Sequence, residues 1–173
     1  YETLEQLKDK VRTELESSLK RAIEEAHKDK IVERLVEMHH FDLPDVLVDR
    51  EVKAMVRQRL MDEQRKKGGS QADDQAHWEA EVKRLHQELE PDAKKRVKLA
   101  LILETIADKE GITVSEEELV EEIRKLAQGL QIPVENIQEM IQSGGDASRR
   151  EFHDRILAEK ALQLVYQFAV IQG

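Results

Sequence analysis

The sequence predicts an all-α fold, an irregular multi-helix body with two protruding helical arms. Charged residues make up 38% of the 173 residues and aromatic residues only 3%, whereas an ordinary globular protein has roughly 25% charged residues. Seven Gly and three Pro are too few to punctuate a many-stranded sheet. Apolar residues recur instead at steps of three and four, which is the spacing of amphipathic helices. We therefore expect a single helical domain over residues 1–173.

The first predicted element is a long helix over residues 3–38. Thr3 followed by Gln6 has the spacing of a capping box, which marks a helix start. An apolar stripe then runs along an otherwise charged rod, about 50 Å long at about 1.5 Å rise per residue. Packing against a facing helix is the preferred interpretation of this stripe, and a surface for another protein is the alternative. The stripe consists of Leu4, Leu7, Val11, Leu15, Leu19, Ala22 and Ala26.

Two helical arms are predicted, at about residues 44–90 and 115–145. Pro44 suits the first position of the second helix, because an amide there would have no partner. The charged and glycine-containing residues 65–74 predict a mobile tip before the third helix. At Pro91 we expect a break or kink, because proline disfavours helical geometry at the preceding residue and cannot donate to an earlier carbonyl.

Four further helices follow in the remaining sequence. Gly111 predicts a left-handed helix end, and Ser115 with Glu118 forms a second capping box. Pro133 opens a short helix, and a closing helix is predicted over residues 147–171. Seven helices are therefore expected in all.

Charge and residue usage exclude several classes of function. The 28 Lys and Arg against 37 Asp and Glu give a net charge of −9, which disfavours direct binding of nucleic acid. The absence of Cys excludes disulfides and thiolate zinc sites and suits a reducing, cytoplasmic location. The longest apolar run, residues 99–103, is far below the roughly 18 residues that cross a bilayer, so we expect no membrane partner. Because the chain opens with Tyr1 and shows no basic-then-apolar leader, we expect it to be a piece of something longer.

No cluster of residues predicts catalysis, a metal site or a cofactor. Adjacent His39 and His40 would point about 100° apart on a helix, and no His-Glu-x-x-His arrangement occurs elsewhere. The carboxylates stand in exposed-looking runs such as residues 116–118, without a pocket that would shift a pKa. We therefore predict a binding module rather than an enzyme, with no metal and no cofactor.

The most specific pattern in the chain is FDLPDVLVDRE at residues 41–51, which follows a charged helix beginning with TLEQLK at residues 3–8. Further along, AKKRV at residues 93–97 leads into LALIL at residues 99–103, and the turn GITVS follows at residues 111–115. In this order, and over essentially the whole chain, the sequence resembles the C-terminal domain of trigger factor, the bacterial ribosome-associated chaperone family.

The resemblance implies an ATP-independent chaperone module whose two arms form a cradle for unfolded or nascent polypeptides. Catalysis is not implied, because the prolyl isomerase and ribosome-docking patterns of the family belong to domains absent from this chain, and ribosome contact would run through those domains. Aliphatic side chains stand where the family can place aromatic ones, which predicts weaker binding at each contact. The residues that match the family's client contacts are Leu85, Leu89, Leu126, Leu130, Ile137 and Met140.

Two other interpretations stay open at this point. A structural helical domain that forms a weak homodimer, or docks to one fixed protein partner, would also present apolar stripes. The helical, chaperone-like domains of periplasmic SurA-type proteins share an arm-and-crevice design and are the third interpretation.

Overall fold

The computed structural model describes residues 4–66 and 75–169, and this part of the chain is helical without any strand. The all-α prediction is therefore confirmed. Six helices follow one another in the described residues: α1 (Leu4–Met38), α2 (Asp45–Lys66), α3 (Gln75–Glu110), α4 (Glu116–Leu130), α5 (Val134–Ser143) and α6 (Gly145–Phe168).

The three prolines have different effects on the helices. Pro44 and Pro133 each lie one residue before a helix, α2 and α5 respectively. Pro91 lies inside α3, so the predicted break is wrong and two predicted helices are one. Leu85 and Val97, on either side of Pro91, are both buried in one cluster with α2. This packing holds the helix together across the hydrogen bond that proline cannot make.

Two helix ends have the predicted local chemistry. Gly111 has φ +65° after α3, and the next amide, of Ile112, donates to the Ala107 carbonyl at 2.8 Å. At the start of α4 the Ser115 hydroxyl accepts from the Glu118 amide at 3.2 Å, and the Glu118 carboxylate accepts from the Ser115 amide at 2.8 Å. This second capping box is confirmed.

Two other helix ends could not be read correctly from the sequence, and two predicted features lie outside the described residues. α4 ends in a left-handed residue that is not glycine, Gln131 at φ 56°, and α6 begins at Gly145 rather than at residue 147. The Thr3 side of the first capping box and residues 67–74 of the predicted tip lie outside the described residues.

The described residues form two compact units. The middle unit comprises residues 36–66 and 75–102, and its core lies between α2 and α3. Val48, Val52 and Val56 stand four residues apart on α2 and form one buried face. The matching face of α3 contributes Leu85, Ala93 and Val97.

The terminal unit comprises residues 4–35 and 103–169. Its helices α4, α5 and α6 contact one another. α1 contacts α6 in its C-terminal half, where the His27 ring stacks on Tyr166 with 6.5 Å between ring centroids. The buried residues of this unit are Leu103, Ala107, Ala127, Ile137, Ile156 and Ala161.

The stripe along the first half of α1 is exposed rather than packed. Leu4, Leu15 and Leu19 are each more than 60% exposed. Packing against a facing helix, the preferred interpretation of these residues from sequence, is therefore wrong for them. The alternative, a surface available to another protein, is the interpretation that fits their exposure.

Candidate apolar binding surface

Two of the six predicted contact residues, Leu85 and Leu89, lie in the core of the middle unit. Leu85 has no exposed surface, and Leu89 packs partly buried against the same cluster. Leu85 and Leu89 precede Ala93 by eight and four residues, respectively, and lie on the same face of α3, which packs against α2. Both side chains therefore hold the middle unit together, and neither offers an open apolar surface.

The other four predicted residues lie on α4 and α5 in the terminal unit. Ile137 is buried, because α5 contacts both α4 and α6. Leu126 is partly buried, whereas Leu130 is 60% and Met140 63% exposed. Leu130 stays open because it is the last residue of α4. The accessible apolar residues of the predicted set are therefore Leu130 and Met140.

A groove of about 490 Å³ is formed by the same three helices, α4, α5 and α6. Sequence patterning placed its apolar lining on helices but could not assign it to a site, because the lining residues come together only when α6 packs across α4 and α5. The Arg155 guanidinium lies 5.0 Å from the centroid of the Phe152 ring beside it. The apolar lining consists of Leu119, Val120, Ile123, Ile141 and Phe152, and the polar lining of Glu116, Gln138, Gln142, Arg149, Arg150 and His153.

One ion pair fixes the start of α4 against α6. The Lys160 ammonium donates to both carboxylate oxygens of Glu118, at 2.6 and 2.9 Å, and to the Thr113 carbonyl at 2.6 Å. Hydrogen bonds from Lys160, and then from the Ser115 amide, hold the pKa of the Glu118 carboxyl below its ordinary value. The same carboxylate thus caps α4 and ties it to α6, which sets the position of one groove wall.

The described part of the chain gives little support for metal binding, membrane crossing or acid catalysis. Within it, no group of three or more His, Asp or Glu side chains could hold a metal ion. None of the helices described is both long enough and apolar enough to cross a membrane. Five carboxyl groups there have clearly lowered pKa values, mainly through hydrogen bonds from lysines or backbone amides, whereas a general acid needs a raised one. They are Glu24, Asp49, Glu90, Glu117 and Glu118.

Comparison with known proteins gives a consistent set of relatives. Residues 3–167 match the family described as the C-terminus of bacterial trigger factor protein. Trigger factor from Geobacillus sp. (strain WCH70) is 37% identical over 141 residues, which cover 81% of this chain and 32% of the relative. Trigger factor from Anaeromyxobacter dehalogenans (strain 2CP-C) is 33% identical over 171 residues, covering 99% of this chain and 38% of the relative. The chain therefore spans about a third of the length of these relatives.

A solved structure of trigger factor domains from Thermotoga maritima has the same fold. The TM-score is 0.55 at 22% sequence identity, and the match covers 98% of this chain and 97% of that chain. The family match extends over nearly the whole chain, and both sequence relatives exceed 30% identity over most of it. The chain therefore belongs to the family of bacterial trigger factor C-termini.

Proposed function

We propose that this chain is an ATP-independent chaperone module that holds unfolded or nascent polypeptides on an apolar surface of α4, α5 and α6. Membership of the trigger factor C-terminal family supports a chaperone module in general. The observation that carries the specific proposal is the exposure of Leu130 and Met140 on helices that also form an apolar groove with a charged lining. We name these two residues together with the apolar groove lining the α4–α6 surface.

Holding on such a surface needs no catalysis and no nucleotide. Burying one aliphatic side chain of a client contributes about 1 to 3 kcal/mol, so a single contact is weak. Several weak contacts engaged together bind an unfolded segment, and each can dissociate without an external energy source. Charged side chains such as Arg149 and Arg150 in the groove lining keep this surface soluble between clients.

Within this proposal, four of the six predicted contact residues take roles that follow from their burial, while Leu89 and Leu126 are partly buried. Leu130 and Met140 contact the client, while Leu85 and Ile137 support the helices from inside. Phe152 adds a ring to the groove lining. It supplies part of the aromatic contact area that the predicted set lacks.

The wider setting is part of the same proposal. We place the protein in the cytoplasm. Ribosome contact and prolyl isomerisation belong to parts of the whole protein outside these 173 residues. This assignment is in line with relatives that are about three times as long as the matched region. Nucleic acid, membrane and cofactor have no role in the holding step.

Aggregation suppression tests the α4–α6 surface directly. A chemically denatured client is diluted into buffer with the chain, and light scattering follows its aggregation. We expect the double variant Leu130→Ser/Met140→Ser to need about tenfold more protein for half-protection, since the loss of about 1.4 kcal/mol of contact is tenfold in affinity. Added ATP should change neither curve.

A matched variant controls for the general loss of exposed apolar groups. Val46→Ser/Met61→Ser removes two exposed apolar side chains from α2 in the middle unit. We expect this variant to protect as well as the unmodified chain. Equal protection by both double variants would overturn the α4–α6 surface as the holding site.

A further inference from the structure

Two glutamine side chains line the groove formed by α4, α5 and α6. Gln138 and Gln142 lie four residues apart on α5, and both are exposed. Neither side chain makes a hydrogen bond to another of the described residues. A carboxamide carries two donor hydrogens and a carbonyl acceptor. Each glutamine is therefore able to donate to and accept from a molecule bound in the groove.

The spacing of the two glutamines suits an extended polypeptide. Residues four apart on a helix are separated by about 6 Å along its axis. In an extended chain every second residue presents its backbone amide and carbonyl at the same edge, and these residues are about 6.6 to 6.8 Å apart. The rotatable side chains of Gln138 and Gln142 can make up this small difference. The two carboxamides can therefore pair with alternate residues along one edge of a bound segment.

The apolar lining of the groove suits the same segment. The lining contributed by α4 extends from Glu116 to Ile123, about 10.5 Å at about 1.5 Å per residue, which is the length of about three extended residues. An extended segment directs every second side chain to one side, so its apolar side chains can face Leu119, Ile123 and Phe152 while its edge faces the glutamines. A helical segment pairs its backbone groups internally and has no use for the carboxamides.

The charge of the groove is also complementary to an unpaired backbone. Its lining contains Arg149 and Arg150 against the single carboxylate of Glu116, in a chain whose net charge is −9. Neither arginine forms an ion pair within the described residues, and the Arg150 Nε donates to the Asp146 backbone carbonyl at 3.3 Å. Guanidinium groups donate hydrogen bonds but cannot accept them. They therefore complement the carbonyl oxygens of a bound segment, which carry partial negative charge.

We propose that Gln138 and Gln142 bind the backbone of an extended client segment, which makes the groove selective for strand-forming segments of unfolded polypeptides. Backbone groups that enter an apolar groove lose water, and this is costly unless they find new partners. The glutamines supply such partners whatever the exact sequence of the client. This inference rests on the proposed holding function and names the class of client that the groove accepts.

Replacing both glutamines with methionine tests the pairing by the sign of the effect. Methionine has a similar length but no donor hydrogen. If apolar burial alone decided affinity, Gln138→Met/Gln142→Met would bind clients more tightly, whereas loss of the backbone hydrogen bonds should weaken binding by about tenfold. The probe is a short labelled peptide with alternating apolar and polar residues, and fluorescence anisotropy measures its Kd. Gln128→Met/Gln167→Met, at exposed glutamines outside the groove lining, is the matched control and should bind like the unmodified chain.

A second peptide with backbone esters in place of its central amides separates hydrogen bonding from shape. It keeps the side chains but lacks the backbone donors, so the unmodified chain should bind it about tenfold more weakly than the amide peptide. Gln138→Met/Gln142→Met should bind the ester peptide as well as the unmodified chain does, and circular dichroism checks that the variant stays helical.

The outcomes distinguish this inference from the holding function beneath it. An ester penalty of the same size in the unmodified chain and in Gln138→Met/Gln142→Met would overturn the backbone pairing, and so would tighter binding of the amide peptide by that variant. Either result would leave the α4–α6 surface in place as an apolar holding site. Failure of the unmodified chain to bind the amide peptide at all would overturn the holding function and the backbone pairing together.

Discussion

Replacing Leu85 with alanine tests whether a residue predicted to contact clients is instead part of the core. Leu85 is fully buried between α2 and α3. The substitution removes three carbons, worth about 2.4 kcal/mol at about 0.8 kcal/mol per buried group. The cavity left beside Val52 adds to this, so we expect the free energy of unfolding of the middle unit to fall by about 3 to 5 kcal/mol. The same change at Leu130, which is mostly exposed, should cost less than about 1 kcal/mol.

Urea unfolding followed by circular dichroism measures the total loss, and hydrogen exchange shows where it falls. In Leu85→Ala, amides of α2 and of the α3 segment in the middle unit should lose protection first. Amides of α4 and α5 should keep theirs, and client protection under folding conditions should stay unchanged. A Leu85→Ala variant that remains as stable as the unmodified chain but protects clients less would show that Leu85 is a contact residue, and it would refute the assignment made from burial.

Two further predictions concern the pH dependence of stability and the backbone conformation of two glycines. Because the Lys160 ammonium lowers the pKa of Glu118 in the folded chain, the ion pair stabilises the fold above the ordinary pKa of glutamate and is lost as pH falls through the lowered folded value. Lys160→Met should therefore reduce the loss of stability below pH 4.5, measured by urea unfolding at several pH values, with Lys125→Met as the control for removing a surface cation. Gly111→Ala should destabilise by about 1 kcal/mol, since φ is +65° and the cost is conformational. Gly129→Ala, inside α4 with open space around it, should stabilise by about 0.5 to 1 kcal/mol, and equal Tm shifts for both would contradict this reasoning.

Local chemistry explains why much of the helical architecture could be predicted. A capping box such as Ser115 with Glu118 acts within three residues, and a left-handed glycine such as Gly111 acts within one turn. Both features can therefore be recognised in the sequence without knowledge of the tertiary contacts. Gln131 adopts the same left-handed backbone without being glycine, and this helix end could not be read from residue type.

Pro91 shows where local reasoning fails. Proline weakens a helix by about 3 kcal/mol or more in isolation, which is why a break was expected. The buried residues Leu85, Ala93 and Val97 lie on both sides of it and pack with the valines of α2. Burial of several such side chains contributes more than the proline costs. That contribution depends on valines of α2 that precede Pro91 by 35 residues or more, and no local window contains them.

The same argument explains why the candidate surfaces could not be predicted residue by residue. Two apolar rows have the same four-residue spacing: Leu85, Leu89, Ala93 and Val97 on α3, and Leu7, Val11, Leu15 and Leu19 on α1. The row on α3 is nevertheless buried except for the partly buried Leu89, and the row on α1 is exposed. The spacing of apolar residues along a helix indicates only that one face of that helix is apolar. Burial requires in addition a second face with matching spacing, which α2 supplies to α3 through Val48, Val52 and Val56. Within the described residues the first half of α1 receives no such face, and its apolar row is therefore exposed although its spacing equals that of the row on α3.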